Sequence, residues 1–275
     1  MKLSRRDALL AHAALWAIGL LLLAPFAFMV STSLKLPGKA FTANIEWIPR
    51  PFVWENYPHA LTRFPFQRYL ANTLLLCGAT VVGTVLSCAL PAYGFARLKW
   101  KGRDTLFVIL LATIMLPAQA TQLPTFLMFR SFGWSGTLLP LIVPSFFGNA
   151  FSIFLLRQFF LTIPQELSDA ARLDGCSEWG IFARVVVPLA KPALATVALF
   201  AFIGAWTDFQ GPLIYLHDES QYTLAVGLGA FQGRHNGQPN LLMAAATVFT
   251  GPMVLAFLLA QRTFLRGIAA TGWKG

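Results

Sequence analysis

Charge is scarce in this 275-residue chain: Asp, Glu, Lys and Arg supply 12% of it, about half of the roughly 25% found in soluble domains. With 56% hydrophobic residues and a mean hydropathy of +0.62, that shortage excludes an ordinary soluble domain and indicates an integral membrane protein. Cysteine is nearly absent. Cys77, Cys88 and Cys176 show no CxxC spacing, so neither a disulfide framework nor a metal site is indicated. The four histidines, His12, His59, His217 and His235, are scattered over different segments and form no ligand set. HExxH, GxSxG and GxxxxGK(S/T) are all missing, which excludes a zincin-type protease, a nucleophile-elbow hydrolase and an ATP-binding P-loop.

Long apolar runs are what the chain has instead. Six segments, about 9–31, 69–95, 105–124, 138–160, 192–216 and 241–261, approach the roughly 20 residues that a helix needs to cross a hydrocarbon core. The expected fold is an all-α integral membrane protein with six transmembrane helices, forming one transmembrane domain over 1–275. The net charge of +10 is dispersed among loops rather than gathered on one surface, which argues against nucleic acid as a partner and for lipid-facing topology signals. With a cytoplasmic N-terminus, 14 of the 21 Lys and Arg fall inside; the opposite orientation fits worse. Both termini and the polar stretch after the fourth span are therefore expected in the cytoplasm. The opening "MKLSRRDALLAHAALWAIGLLLLAPFAFMV" is too long for a signal-peptide core and no clean A-x-A site follows it, so an uncleaved first span is expected.

Several spans carry internal features. Ala79, Gly83 and Ser87 recur at four-residue spacing, a small-residue stripe that admits a close neighbour, within this chain or from a second one. Pro117 and Pro124 bracket Gln119 and Gln122, a combination tolerated in a membrane beside a watery pathway or at a frayed helix end near the interface. Asp208 is the only acidic residue inside any predicted span. An intramembrane carboxylate marks a functional interior by default, unless it sits hydrated near the interface. Trp206 and Phe209 flank it. Gln119, Asn149, Trp206, Asp208 and Phe209 are the candidate substrate path. The outer loop 34–68, rich in Pro and aromatics, shows no sustained period and reads as irregular, whereas 217–240 has Gly, Asn and Gln turn signals, no apolar period long enough to span, and could dock a partner.

The stretch 161–191 is different. Thr162 to Gln165 has the capping-box form Thr-x-x-Gln, Pro164 suits a first helical turn, and Gly175 can end the helix in the left-handed region. A helix of about three turns is expected over 165–174, too short and polar to enter the bilayer. Leu167, Ala170 and Ala171 are expected on one thin face, and "SEWGIFARVVV" as a second helical piece stopped by Pro188.

"DAARLDGCSEWGIFARVVVP" resembles the signature of ABC-importer membrane subunits, Glu-Ala-Ala, three residues, Gly, nine residues, then Ile-x-Leu-Pro, with Asp for Glu and Val for Ile and Leu. "AWTDFQGPLIYL" and "QRTFLRGIAATGWKG" are similar to the fifth span and the ending of the carbohydrate branch, and the match is to its maltose-type second permease. The resemblance implies that 161–191 is a coupling loop, with Asp169, Ala170, Ala171, Arg172, Asp174, Gly175, Val187 and Pro188 contacting a cytoplasmic ATPase. It implies a multi-pass subunit of a bacterial or archaeal cell (inner) membrane, paired with a homologous second permease. An ATPase dimer would use ATP and Mg, this chain binding no cofactor and being no enzyme itself. An extracytoplasmic binding protein would deliver the solute, a di- or oligosaccharide before glycerol phosphate or another polyol. A secondary transporter is the first rival, but Asp208 alone offers little for ion coupling and no inverted repeat is evident; a membrane-embedded enzyme is the second, from a different class, but the spans show no convergent titratable residues.

Overall fold

A computed structural model describes residues 5–40, 46–234 and 238–271. Lys2 and Lys274, counted among the basic residues expected inside, and the end of the Lys-Gly tail lie outside them. Every regular element among the described residues is helical. Among the described residues four stretches are long and apolar enough to cross a membrane, Arg6–Ser33, Phe66–Arg97, Leu139–Thr162 and Pro239–Gln261; counting each of two bent helix pairs as a span raises this to as many as six.

The chain divides into two compact units, Met1–Phe66 with Gly227–Pro252, and Gln67–Val226 with Met253–Gly275. In the first, α1 (Arg5–Ser33) is an apolar helix, open over most of its length and buried at its end, Ser31 to Ser33, and α2 (Asn56–Thr62) is a short helix inside the connection expected to be irregular. The buried Asn56 amide donates to the carbonyls of Ser33 and Lys35, both at 2.8 Å, and its Oδ1 accepts from Asn240. An orphaned carbonyl at the end of α1 is thus satisfied by a side chain, as burial requires. Ala60, Phe231, Leu241, Ala244 and Ala245 form this unit's core.

The second unit is built on α3 (Phe66–Arg97), a 32-residue helix continuous through Pro91. The predicted span over 105–124 is in fact α4 (Arg103–Ile114) and α5 (Ala118–Ser131), bent by 94°. Pro117 is responsible: it holds an extended ψ of 132° before α5, and the residue before a proline is pushed out of the helical region. The next span is also divided. After α6 (Leu139–Ile142) and a 3-10 turn, Val143–Phe147, Gly148 takes a φ of 88° before α7 (Ala150–Thr162). The Ala79–Gly83–Ser87 stripe receives that turn. A Cβ on Gly83 would strike the side chains of Ser145 and Phe146, and the Ser87 hydroxyl donates to the Ser145 carbonyl at 2.9 Å. Close approach within the chain accounts for the small residues.

Beyond α7 come α8 (Gln165–Leu173), α9 (Glu178–Ile181), a π-helical stretch Phe182–Val186 and α10 (Val187–Leu189). Then α11 (Lys191–Thr207) leaves at 77° to the Glu178–Leu189 piece. Pro188 does not stop the second helical piece. The π register moves the carbonyl that a proline ring would strike in an α-helix, so the helix runs past it to Leu189 and turns at Ala190. The chain continues through α12 (Gln210–Tyr215), a 3-10 turn Glu219–Gln221, α13 (Leu224–Arg234) and α14 (Pro239–Thr271). The loop expected over 217–240 therefore contains a helix of eleven residues.

Candidate docking surface and cavity

Helix α8 forms where the residues predicted it, but its start is held differently. Thr162 donates to the Phe159 carbonyl at 2.7 Å as the last residue of α7, and no side chain caps α8. The capping box is therefore not made. Arg97, at the end of α3 and 8% exposed, holds the entry by its carbonyls instead: Nη1 donates to the Ile163 carbonyl at 2.8 Å, and Nη2 to the Pro164 carbonyl at 3.1 Å and the Ser168 hydroxyl at 2.9 Å. Hydrogen bonds to a charged group contribute about 1.5–3 kcal/mol each, so this guanidinium is a firm anchor for the entry to the helix.

The exit is a Schellman motif. Gly175 has a φ of 81°, its N–H donates to the Arg172 carbonyl at 3.0 Å, and the Cys176 N–H donates to the Ala171 carbonyl at 2.9 Å. Ser177 then caps α9 by accepting from the Gly180 N–H. Across the two short helices, Arg172 Nε donates to Glu178 Oε1 at 2.7 Å and Nη1 to Asp169 Oδ1 at 2.6 Å, while the Tyr93 hydroxyl donates to Glu178 Oε2 at 2.6 Å. The Glu178 carboxylate, with Asp169, holds the Arg172 guanidinium above its ordinary pKa. Exposed pairs of this kind contribute about 0–1 kcal/mol, so their main effect is to fix the angle of the elbow.

The faces of α8 differ from expectation. Ala171 and Ser168 turn inward, while Leu167, Ala170, Asp169, Asp174 and Gly175 are exposed. The alanine pair is split by the helical turn rather than sharing a face. Leu173 is 90% exposed and Trp179 64% exposed, two large apolar groups presented on the outside of the elbow. Its inner side, Ile163, Ile181, Phe182, Val186 and Ala190, is buried in one cluster with Tyr93, Phe107 and Phe160. Val187 is half-buried and Pro188 exposed.

A separate cavity of about 650 Å³ lies between α3, α7 and α11, lined among others by Thr80, Thr84, Ser145, Asn149 and Asp208. Of the five residues predicted along a path, it joins Asn149 and Asp208. Asn149 caps α7 through Oδ1, which accepts from Ser152 N–H at 3.0 Å, and Asp208 Oδ1 accepts from Gly211 N–H at 2.9 Å where α11 ends. The other three lie elsewhere. Trp206 is 1% exposed and stacks on Phe202, Phe209 is exposed beyond the helix end, and Gln119 is exposed on α5. Consecutive helical residues point in different directions, so neighbours of Asp208 in sequence do not share its cavity.

Arg97, Tyr93 and Glu178 were missed by sequence reasoning. Arg97 counted only as one of the basic loop charges. Nothing in its surroundings distinguishes an arginine that turns back on the protein from one that faces solvent.

The family model of binding-protein-dependent transport system inner membrane components matches residues 79–269. The chain is 32% identical to the probable ABC transporter permease protein YurM of Bacillus subtilis, over 91% of this chain and 83% of that protein. It is 29% identical to the arabinooligosaccharides transport system permease protein AraQ of the same organism, over 94% and 92%. Its fold is similar to that of a chain in the crystal structure of a bacterial ABC transporter involved in the import of the acidic polysaccharide alginate, with a TM-score of 0.80 at 24% identity, covering 95% of this chain and 99% of that one. The polypeptide belongs to the family of binding-protein-dependent transport system inner membrane components, the permease subunits of ABC importers.

Proposed function

We propose that this permease translocates a neutral di- or oligosaccharide, handed to it by an extracytoplasmic binding protein and driven by ATP and Mg consumed in a separate ATPase dimer. The observation that carries the reading is the elbow α8–α10, which presents Leu173, the Gly175 turn and Trp179 outward on a framework fixed from α3. Exposed apolar groups rimmed by Asp169, Arg172, Asp174 and Glu178 suit a protein partner. ATP binding closes the ATPase dimer and moves the elbow, and a homologous second permease completes the pore. The elbow and both termini face the cytoplasm. The cavity carrying Asn149 and Asp208 belongs to the solute path; a volume of about 650 Å³ falls within the ordinary range of small-molecule sites. Its hydroxyl and amide groups suit an uncharged polyhydroxylated solute. The similarity to an arabinooligosaccharide permease supports the sugar assignment over glycerol phosphate.

The complete importer, purified through this subunit, is expected to retain its ATPase and to hydrolyse ATP faster when sugar-loaded binding protein is added. Hydrolysis indifferent to loaded binding protein contradicts the proposal.

A further inference from the structure

We propose that α3 carries the movement of the elbow into the cavity, with Arg97 and Tyr93 as its positioning residues. The proposal rests on the reading of the elbow as the ATPase-docking surface, and it adds the route by which the stroke leaves that surface. The last turns of α3 grip both halves of the elbow independently. Arg97 holds the entry to α8 through three acceptors, the Ile163 and Pro164 carbonyls and the Ser168 hydroxyl. Tyr93, one helical turn earlier and 3% exposed, holds α9 through Glu178, which in turn holds Arg172 on α8. Its ring also packs edge-on against Phe182 of the π stretch at 5.2 Å.

The same helix lines the cavity. Leu76, Thr80 and Thr84 recur at four-residue spacing along one face of α3 and border the space that Asp208 borders from the other side. From Thr84 to Arg97 the helix is unbroken and rises about 20 Å. A continuous helix clamped at two points of the moving part cannot let that part swing without following it. Rigid elements joined to both sites by hydrogen bonds and packing are one physical carrier of such coupling.

The packing does not favour the other routes equally. The connection leading from the elbow to α11 passes through the π stretch and the 77° turn at Ala190, and the one to α7 through the extended Ile163–Pro164 junction. Each of these is a place where the backbone changes direction. Helices α7 and α11 also run from the cavity to the edge of the elbow and pack against its inner face, but each meets it where the backbone turns, whereas α3 holds it through side chains at two points within one unbroken helix.

The test uses the complete importer in lipid nanodiscs, with Cys77, Cys88 and Cys176 replaced and Thr80→Cys as reporter. A water-soluble maleimide labels the cavity cysteine with and without ATP plus vanadate. A photo-cross-linking amino acid at position 173 monitors docking in parallel. In the parent, nucleotide changes the labelling rate. In Arg97→Gln that change is expected to shrink about tenfold, the factor that one charged hydrogen bond can supply, and Tyr93→Phe, which deletes a single oxygen, reduces it less. Transmission through α3 requires the cross-link to survive in both variants; its loss there assigns the two residues to the docking surface alone and overturns the proposal. A purely structural role for the two residues predicts lower yield with the nucleotide response intact. An unchanged response in both variants, with the cross-link present, overturns the transmission proposal alone. Absence of the cross-link in the parent overturns the docking reading, and the proposal with it.

Discussion

Gly175 holds a φ of 81° with nothing within 4 Å of where a Cβ would stand. A substitution there meets no clash, only the conformational cost of the left-handed region, about 1–2 kcal/mol for a residue with a side chain. Gly175→Val should therefore reach the membrane at a normal level but open the Schellman turn and redirect α9. The expected outcome is loss of ATPase co-purification, or hydrolysis without transport; a variant normal in both removes this glycine from the coupling surface. Asp208 is a second case. Its Oδ1 caps Gly211, a bond that an amide oxygen also accepts, so Asp208→Asn removes charge while keeping the turn. Insertion should be unchanged and the transport rate or sugar preference altered; unaltered transport across several sugars leaves Asp208 a helix cap only. The Gly175 turn was legible because glycine after a polar helical run has one common use. Arg97 was not, because its acceptors lie 66 to 71 positions away.

At the scale of elements, hydropathy locates apolar segments but not their breaks. Pro117 was visible in the sequence, yet a membrane helix can carry a proline and continue, as α3 does through Pro91. What separates the two cases is the neighbourhood: α4 and α5 part by 94°, whereas on both sides of Pro91 α3 packs in one buried cluster with α7. The loop 217–240, with turn signals and no apolar period long enough to span, hides a short helix for a related reason. Gly227, Gly229 and Gly233 weaken the helical signal of α13, and burial of Leu224, Val226 and Phe231 supplies the stability that propensity lacks. Orientation belongs to this scale as well. Impermeant thiol labelling of intact cells, in a cysteine-free background, should modify Asp218→Cys and spare Ser177→Cys, both sites being exposed. The reverse pattern contradicts the cytoplasmic elbow.

For the whole molecule, composition was the surest guide. Scarce charge and long apolar runs indicated an integral membrane protein, and the family match makes it a transport permease. The polar elbow is the exception to that composition, and its inner face is buried in the membrane unit while Leu173 and Trp179 remain uncovered. The central claim is that ATP consumed by a partner drives solute through this permease. The direct measurement is sugar accumulation by proteoliposomes holding the whole assembly, binding protein included, with ATP or an ion gradient as the only energy source. Uptake that requires ATP and the binding protein, and is indifferent to proton or sodium gradients, is the predicted result; accumulation driven by an ion gradient without ATP contradicts the account.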